Sequence, residues 1–305
     1  MVLVLTHTDC LDHVTPPGHP EQVPRLEAVE RGLRGLPVRR QDAPLGAVAD
    51  VLRCHPQRYV ERIAASVPLH GWAQVDGDTY LSPGSYRAAL RAVGGICAGV
   101  DHVMTQGGRA FVAARPPGHH AERETAMGFC LFGTVAIGAM RALDLHGVSR
   151  VAVLDFDVHH GNGTQDLLWD ERRVRLVSSH QMPLYPGTGH PRERGAHGQI
   201  TNIPLPEGSG GGRMRAAWQP ALEELRHWQP ELVILSAGFD AHRADPLASL
   251  MWEEDDFAWL TRAICDLANE CCAGRVVSSL EGGYDLDALA DSVAAHVEEL
   301  GRQGA

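Results

Sequence analysis

Residues 151–163 read VAVLDFDVHHGNG and carry the clearest structural signal in the chain. The first four residues are apolar, which predicts a short buried strand. In the extended chain that follows, Phe156 and Val158 face the core, while Asp157 and His159 share the opposite side. A carboxylate and an imidazole placed in this way can meet one metal ion at about 2 Å. An isolated Asp-x-His is more often a capping pair or a surface turn, so the metal interpretation depends on the rest of the chain.

Further apolar runs alternate with longer segments in which apolar residues recur at three- and four-residue steps. The runs predict strands, and the longer segments predict helices. Strands that alternate with helices favour a parallel sheet covered by helices on both faces, because parallel neighbours need crossover connections. The sequence therefore predicts the α/β class and a single domain over residues 1–305, since the only linker-like piece, GSGGG at 208–212, is typical of a loop. The predicted strands are Met1–Leu5, Ala110–Ala114, Val151–Leu154, Val174–Val177, Leu232–Leu235 and Val276–Leu280, and the predicted helices are Val23–Leu36, Ser85–Val103, Gly133–Leu145, Arg213–His227, Glu254–Cys272 and Leu286–Leu300.

Three more of these runs lead into polar clusters. The clusters are RPPGHH at 115–120, SAGFDAH at 236–242 and LEGGY at 280–284. In an open parallel sheet, ligands bind outside the carboxyl ends of the strands, so these clusters are expected to converge with residues 155–163 on one crevice. Asp240 then adds a second carboxylate to the Asp-x-His pair. Two carboxylates and one imidazole, with room for water, are the arrangement expected of a catalytic zinc site.

The composition excludes several classes of protein. The 305 residues are 44% apolar, and 27 basic against 38 acidic side chains give a formal net charge of −11. A negative surface repels phosphates, which argues against nucleic acid as a partner, and no run approaches the ~18 apolar residues needed to span a bilayer. Seven cysteines without paired spacing, and a start without signal-peptide features, favour a cytoplasmic location.

Some residues near these motifs have both a functional and an ordinary interpretation. Of the adjacent His119 and His120, at most one can meet a metal-bound water, and the other needs a buried acceptor. Tyr284 follows two glycines and can either donate to a developing oxyanion or simply pack. His160 is predicted to be packed and hydrogen-bonded, and Cys130, in apolar surroundings, to be an inert buried thiol.

Six motifs in a fixed order make the sequence similar to the histone deacetylase superfamily. That superfamily includes acetylpolyamine amidohydrolases and acetoin-utilisation proteins, and the resemblance is strongest to its class II branch. It implies an arginase/deacetylase-like open α/β domain and zinc-dependent hydrolysis of an acyl amide by metal-activated water. The motifs are RPPGHHA (115–121), MGFC (127–130), DFDVHHGNGTQ (155–165), YPGTG (185–189), SAGFDAH (236–242) and LEGGY (280–284).

The resemblance also implies a role for each matching residue. One Zn²⁺ per chain is implied, with the ligands Asp157, His159 and Asp240. Groups that act on the substrate amide are implied at three positions: the general base His120, its tandem partner His119 and the oxyanion donor Tyr284. Asp155 matches the carboxylate that orients His119, and Asn162 matches the residue that orients His120. A structural K⁺ is implied at Asp155, Asp157, His159, Ser178 and Ser179, and an acyl-lysine channel at Gly128, Phe129, Tyr185, Leu247, Gly282 and Gly283.

Departures from the family pattern narrow the substrate prediction. Leu247 stands at a rim position where polyamine-specific relatives often carry a Glu, so an acylated lysine peptide or protein is predicted over a small acylated amine. Asp76 and Asp78 could anchor a substrate backbone at the rim, but a solvated loop is the preferred interpretation. Three alternatives stay open: an acetylpolyamine amidohydrolase, a ureohydrolase with two manganese ions, and a non-catalytic module that binds an acylated ligand. The manganese alternative needs a second Asp-rich cluster, where this chain has His160. The oligomeric state and the choice between zinc and iron are also open.

Overall fold

The computed structural model describes residues 1–302. The strands are β1 (Val2–Thr6), β2 (Val38–Asp42), β3 (Ala73–Gln74), β4 (Tyr80–Leu81), β5 (Arg109–Val112), β6 (Val151–Asp155), β7 (Val174–Gln181), β8 (Ile200–Leu205), β9 (Leu232–Ala237) and β10 (Val276–Leu280). The α-helices are α1 (Pro24–Gly32), α2 (Val48–Val51), α3 (Gln57–Ala65), α4 (Ser85–Gln106), α5 (Thr134–Leu145), α6 (Asn162–Leu167), α7 (Gly211–Trp228), α8 (Glu254–Cys272) and α9 (Leu286–Gly301), and a 3₁₀ helix spans Thr8–Asp12.

Eight strands form one sheet in the order β2-β1-β5-β10-β9-β6-β7-β8, and β3 and β4 form a separate antiparallel pair. All neighbours in the large sheet are parallel. The four strands that precede the polar clusters, β5, β10, β9 and β6, are therefore adjacent at the centre of the sheet. Because their carboxyl ends share one edge, the clusters meet there although they lie far apart in sequence.

Two groups of helices enclose the sheet. Helices α4 and α5 contact each other, and α1, α9, α8 and α7 form a second continuous group. Strands β1 and β5 contact both α4 and α9, and β9 contacts both α5 and α8, so the two groups lie on opposite faces. The predicted α/β architecture, with a parallel sheet covered on both faces, is confirmed.

The core explains the apolar character of the central strands. Every residue of β6 and β10 is buried, as expected for parallel strands covered on both sides. Phe156 and Val158 are 1% and 0% exposed, so both side chains lie in the core, as predicted. No helix within residues 1–302 combines the length and apolar character needed to cross a membrane.

The six predicted strands and six predicted helices are all present, and the elements that were not predicted include the two edge strands and helix α3. Strand β2 (VRRQD) has four exposed residues of five, and its charges suit an unpaired edge. Strand β8 (ITNIPL) contains Pro204, which an edge strand tolerates because proline has no N–H to donate.

Candidate active site

Asp157, His159 and Asp240 come together at the carboxyl edge of β6 and β9. His159 Nδ1 lies 3.2 Å from Asp157 Oδ1 and 3.1 Å from Asp240 Oδ2. One ligand atom from each residue lies within 4.8 Å of the others, and all three residues are buried. Backbone N–H groups hold the two carboxylates, because Gly282 donates to Asp157 Oδ2 at 2.8 Å and Val158 donates to Asp240 Oδ1 at 2.9 Å. The structure thus assembles one buried cluster from two distant segments.

The donor set and its spacing fit a divalent ion of the size of zinc. Tetrahedral zinc binds nitrogen and oxygen at 2.0–2.2 Å, which separates its ligand atoms by roughly 3.3 Å. Burial alone would lower the pKa of His159, but the hydrogen bonds to Asp157 and Asp240 raise it to about 10. The two carboxylates therefore favour a positive charge at this place, which can be a proton on His159 or a bound metal ion. These three side chains are the residues that could hold a metal.

His119 and His120 stand beside this cluster, on the turn after β5. His119 Nδ1 lies 3.1 Å from Asp155 Oδ2, and His120 Nδ1 lies 2.7 Å from Asn162 Oδ1. Burial alone would lower the pKa of His119, but the carboxylates of Asp157 and Asp155 hold it well above its usual value. Burial lowers the pKa of His120 well below its usual value, and the adjacent His119 acts in the same direction. The carboxylates therefore favour the protonated form of His119, whereas burial favours the neutral ring of His120, which can accept a proton.

Tyr284 is held in the same cavity as His120 by contacts on its backbone and its ring. Its N–H donates to Asp245 Oδ2 at 2.7 Å, and Arg25 Nε donates to the neighbouring carbonyl of Gly283 at 2.7 Å. The Arg25 guanidinium also lies 4.9 Å from the centre of the tyrosine ring. Burial raises the pKa of Tyr284 well above its usual value although Arg25 opposes the shift. The phenol therefore keeps its proton and remains a hydrogen-bond donor.

A cavity of about 260 Å³ leads to these groups. Aromatic rings form part of its walls: Phe129 lies edge-on to Tyr284 at 5.8 Å, and Tyr185 lies edge-on to His120 at 5.3 Å. Such walls suit an aliphatic chain that carries a polar end. The lining residues are Pro20, Asp78, His120, Gly128, Phe129, His159, Leu184, Tyr185, Leu247 and Tyr284.

Four of the six residues expected in the channel, Gly128, Phe129, Tyr185 and Leu247, line this cavity. Gly128 has φ +54°, and a Cβ there would lie 2.4 Å from the His120 ring, so only glycine fits. Gly282 and Gly283 are placed differently from the expectation. A Cβ at 282 would lie 2.2 Å from Asp240 Oδ2, and one at 283 would lie 2.9 Å from Leu289, so both glycines pack behind the cavity wall. The lack of a side chain at Gly282 allows the segment after β10 to approach the metal-ligand cluster, whereas Gly283 approaches Leu289 and Phe239.

The residues expected around a second cation also lie close together. Asp155 is opposite Ser178 in the β6–β7 pair, and both are 0% exposed. Ser179 follows directly, is 2% exposed, and its hydroxyl accepts from Trp218 Nε1 at 3.0 Å. The structure therefore brings Asp155, Ser178 and Ser179 to one buried place beside the candidate metal ligands.

His160 and Cys130 follow their ordinary interpretations. His160 Nδ1 lies 2.8 Å from Thr188 Oγ1, and Nε2 lies 3.1 Å from Gln165 Oε1, so the ring is packed and hydrogen-bonded as predicted. Cys130 is fully buried, and burial raises the pKa of its thiol well above the usual value. A thiol in this state is a poor nucleophile, as predicted.

Some residues of the site were not predicted. Pro20 and Leu184 line the cavity, and so does Asp78, for which a solvated loop was the preferred interpretation. Glu281 is 0% exposed, and its Oε2 accepts from the N–H groups of Gly118 at 2.7 Å and His119 at 3.1 Å. The sequence offers one signal for this contact, which is the position of an acidic residue between a buried strand and a Gly-Gly pair.

Comparison with known proteins gives consistent results over nearly the whole chain. The Histone deacetylase domain family matches residues 19–300. An uncharacterized protein of Synechocystis sp. is 42% identical over 98% of this chain and 99% of its own length. The histone deacetylase-like amidohydrolase of Pseudomonas aeruginosa is 37% identical over 94% of this chain and 79% of its own, and a probable deacetylase of Archaeoglobus fulgidus is 35% identical over 93% and 81%.

The fold gives the same answer. The crystal structure of the HDA15 HD domain matches with a TM-score of 0.92 at 30% identity, over 98% of this chain and 90% of that one. The eight-stranded parallel sheet with its enclosing helices is therefore the arginase/deacetylase-like fold. The extent of these matches, and the cluster that the fold builds at its carboxyl edge, show that the chain belongs to the histone deacetylase family of amide hydrolases.

Proposed function

We propose that this protein is a zinc-dependent amidohydrolase that removes an acyl group, principally acetyl, from the side-chain amine of a lysine residue, with water as nucleophile. One observation carries the proposal: the buried cluster of Asp157, His159 and Asp240 lies in one cavity with His120 and Tyr284. The cluster would hold one Zn²⁺ per chain. A structural K⁺ would lie near Asp155, Ser178 and Ser179, with main-chain oxygens of Asp157 and His159.

The side chains of the cavity divide the work of amide hydrolysis. When bound, zinc supplies a Lewis acid that polarises the amide carbonyl and lowers the pKa of water. His120 is the general base, because burial keeps its ring neutral, and it returns the proton to the leaving amine. The adjacent His119 is oriented by the carboxylate of Asp155. Tyr284 donates its phenol proton in a hydrogen bond to the developing oxyanion.

The cavity walls support an acyl-lysine substrate. Phe129 and Tyr185 offer apolar faces to the aliphatic stem of lysine. Leu247 lines the cavity without a charge that would select a distal ammonium. The net charge of −11 favours a basic substrate in general. A second candidate, hydrolysis of an acetylpolyamine, is favoured by Asp78, an acidic residue that lines the same cavity.

A substrate panel tests this proposal. Zinc-loaded protein is assayed with acetyl-lysine peptides, longer acyl-lysine peptides, N-acetylputrescine and N-acetylspermidine. Acetyl-lysine peptides should be hydrolysed fastest, Tyr284→Phe should lower kcat by about 100-fold or more, and His120→Ala by at least about 100-fold. A strong preference for acetylpolyamines would overturn the use of Leu247. If no acetate is released from any substrate while His120→Ala leaves ligand affinity unchanged, the protein is a binding module.

Metal analysis distinguishes the proposed zinc amidohydrolase from a ureohydrolase with two manganese ions. One zinc per chain supports deacylation, whereas two manganese ions per chain would indicate ureohydrolase chemistry. Iron in protein isolated from its native cells, with activity equal to the zinc form, would change the assignment of the metal but not that of the reaction.

We further propose that residues 1–305 act as one catalytic domain in the cytoplasm, without a nucleic-acid or membrane partner. All seven cysteines are free, which suits a reducing compartment, and the acidic charge opposes contact with phosphates. Fractionation of native cells, followed by detection of the protein in the cytoplasmic fraction, tests the location.

A further inference from the structure

Glu122 lies two residues beyond His120 and reaches that histidine through a third side chain. Asn162 stands between them: its Oδ1 lies 2.7 Å from His120 Nδ1, and its Nδ2 donates to Glu122 Oε1 at 2.8 Å. Asn162 is 5% exposed, so its amide is closely confined. Glu122 is half-buried, and within residues 1–302 its one side-chain hydrogen bond is the one that it accepts from Asn162.

The chemistry of these three groups fixes their orientation. An amide side chain can present either its oxygen or its NH₂ to a neighbour, but an ionised carboxylate only accepts. Glu122 therefore holds the NH₂ group of Asn162 toward itself, and Met127 Sδ, a weak acceptor 3.3 Å from the same Nδ2, acts in the same sense. The Asn162 oxygen is then left facing His120.

The orientation of the amide selects the tautomer of His120. An amide oxygen cannot donate, so His120 Nδ1 must carry the proton that forms the 2.7 Å hydrogen bond. A neutral imidazole has one N–H, so Nε2 keeps its lone pair. With the amide turned by 180°, His120 Nδ1 would accept, Nε2 would carry the proton, and the ring would have no free base to offer.

We propose that Glu122 is a positioning residue that selects the Nδ1–H tautomer of His120 through the amide of Asn162. The inference deepens the proposed function and rests on the assignment of His120 as general base.

The first test combines activity with a direct view of the tautomer. Glu122→Gln keeps the shape but can donate as well as accept, so it releases Asn162 to turn. In zinc-loaded protein, kcat should fall about tenfold or more with KM nearly unchanged, whereas Glu124→Gln, the matched control, should stay within twofold of the wild type. Glu124 is paired instead with Arg58. In ¹⁵N-histidine NMR spectra, with the His120 signals assigned from His120→Ala, the wild type should show Nδ1–H alone, and Glu122→Gln should show a mixture of tautomers.

The second test is a rescue by reversal of the pair. In Glu122→Gln combined with Asn162→Asp, the carboxylate at 162 accepts from His120, and the new amide donates to that carboxylate. Both kcat and the single tautomer should return to within about threefold of the wild type. Asn162→Asp alone places two carboxylates together and should not behave like the wild type. In Asn162→Ala, kcat should no longer depend on Glu122, so the losses of kcat caused by Asn162→Ala and Glu122→Gln should not add in the double variant.

Clear outcomes overturn the inference. An unchanged Nδ1–H tautomer in Glu122→Gln refutes it, as do losses that simply add to those of Asn162→Ala. If the zinc-loaded wild type hydrolyses no acyl amide, the proposed function fails, but the NMR experiment still decides the role of Glu122 by itself.

Discussion

Gly282 offers the sharpest test of the metal-ligand cluster. Its N–H already donates to Asp157 Oδ2 at 2.8 Å. A Cβ at this position would lie 2.2 Å from Asp240 Oδ2 and 2.6 Å from Asp157 Oδ2. The backbone does not adopt a positive φ at 282, so in Gly282→Ala the added methyl group is itself the perturbation. The substitution therefore presses on two of the three proposed zinc ligands while leaving their chemistry unchanged.

The size of the effect follows from these distances. Carbon and oxygen in ordinary contact are about 3.5 Å apart, so the Asp240 oxygen must retreat by roughly 1 Å. Metal sites keep their ligand distances within about 0.2 Å, and changes that merely loosen the support of a ligand already cost 10- to 100-fold in affinity. Gly282→Ala should therefore weaken zinc binding by about 100-fold or more, which corresponds to about 2.8 kcal/mol.

Zinc affinity is measured by competition with a chelator, and the zinc content after dialysis by mass spectrometry. Gly212→Ala is the matched control, because a Cβ at 212 meets nothing within 4 Å. It should bind zinc like the wild type. Circular dichroism must show that Gly282→Ala remains folded. Zinc affinity within threefold of the wild type in folded Gly282→Ala would refute the assignment of these carboxylates as ligands.

Three further predictions concern the substrate, the pH and the metal. Leu247→Glu should favour N-acetylspermidine over an acetyl-lysine peptide, because the new carboxylate can pair with the distal ammonium. The ratio of the two kcat/KM values should rise by up to about fivefold, the range of an exposed ion pair, and an unchanged ratio would contradict this prediction. Burial lowers the pKa of His296 to about 3, so the unfolded state binds more protons below about pH 6.5 and the free energy of unfolding falls as the pH drops. In urea unfolding between about pH 6 and 4, the free energy of unfolding of His296→Gln should change with pH less steeply than that of the wild type, by up to about 1.4 kcal/mol per pH unit. Equal slopes for the two proteins would contradict this prediction. Chelation of zinc should abolish hydrolysis and lower Tm, with both restored by added zinc, whereas a constant Tm would count against a native-state site.

The centre of the fold was predictable from the sequence because burial on both faces leaves a strong local pattern. Val276–Leu280 is apolar enough to mark a strand, and the structure places β10 over the same five residues. The edges could not be predicted in this way. An edge strand such as β2 has few contacts to satisfy, so its residues are free to be charged and carry no periodic apolar signal.

The candidate site likewise contains residues that the local sequence predicts and residues whose place depends on the packing of the whole fold. Asp157 and His159 are two residues apart just beyond the end of β6, and the sequence spacing alone was enough to predict that their side chains meet. Gly282 was expected at the substrate, and its actual place behind Asp240 depends on how closely the β10 loop approaches the β9 loop. That approach is a property of the packed sheet and not of either segment.

The contact between Glu122 and Asn162 marks the limit of local reasoning. In sequence, Glu122 is one of several acidic residues in a loop, and nothing separates it from Glu124 two positions later. The distinction arises because α6 begins at Asn162 and turns its amide between His120 and Glu122, whereas Glu124 is paired with Arg58. An amide can turn either its oxygen or its NH₂ group toward a neighbour. Asn162 therefore keeps its oxygen toward His120 only if a hydrogen-bond acceptor holds its NH₂ group on the other side. The asparagine in this motif therefore implies an acceptor behind it, and in this fold that acceptor is Glu122.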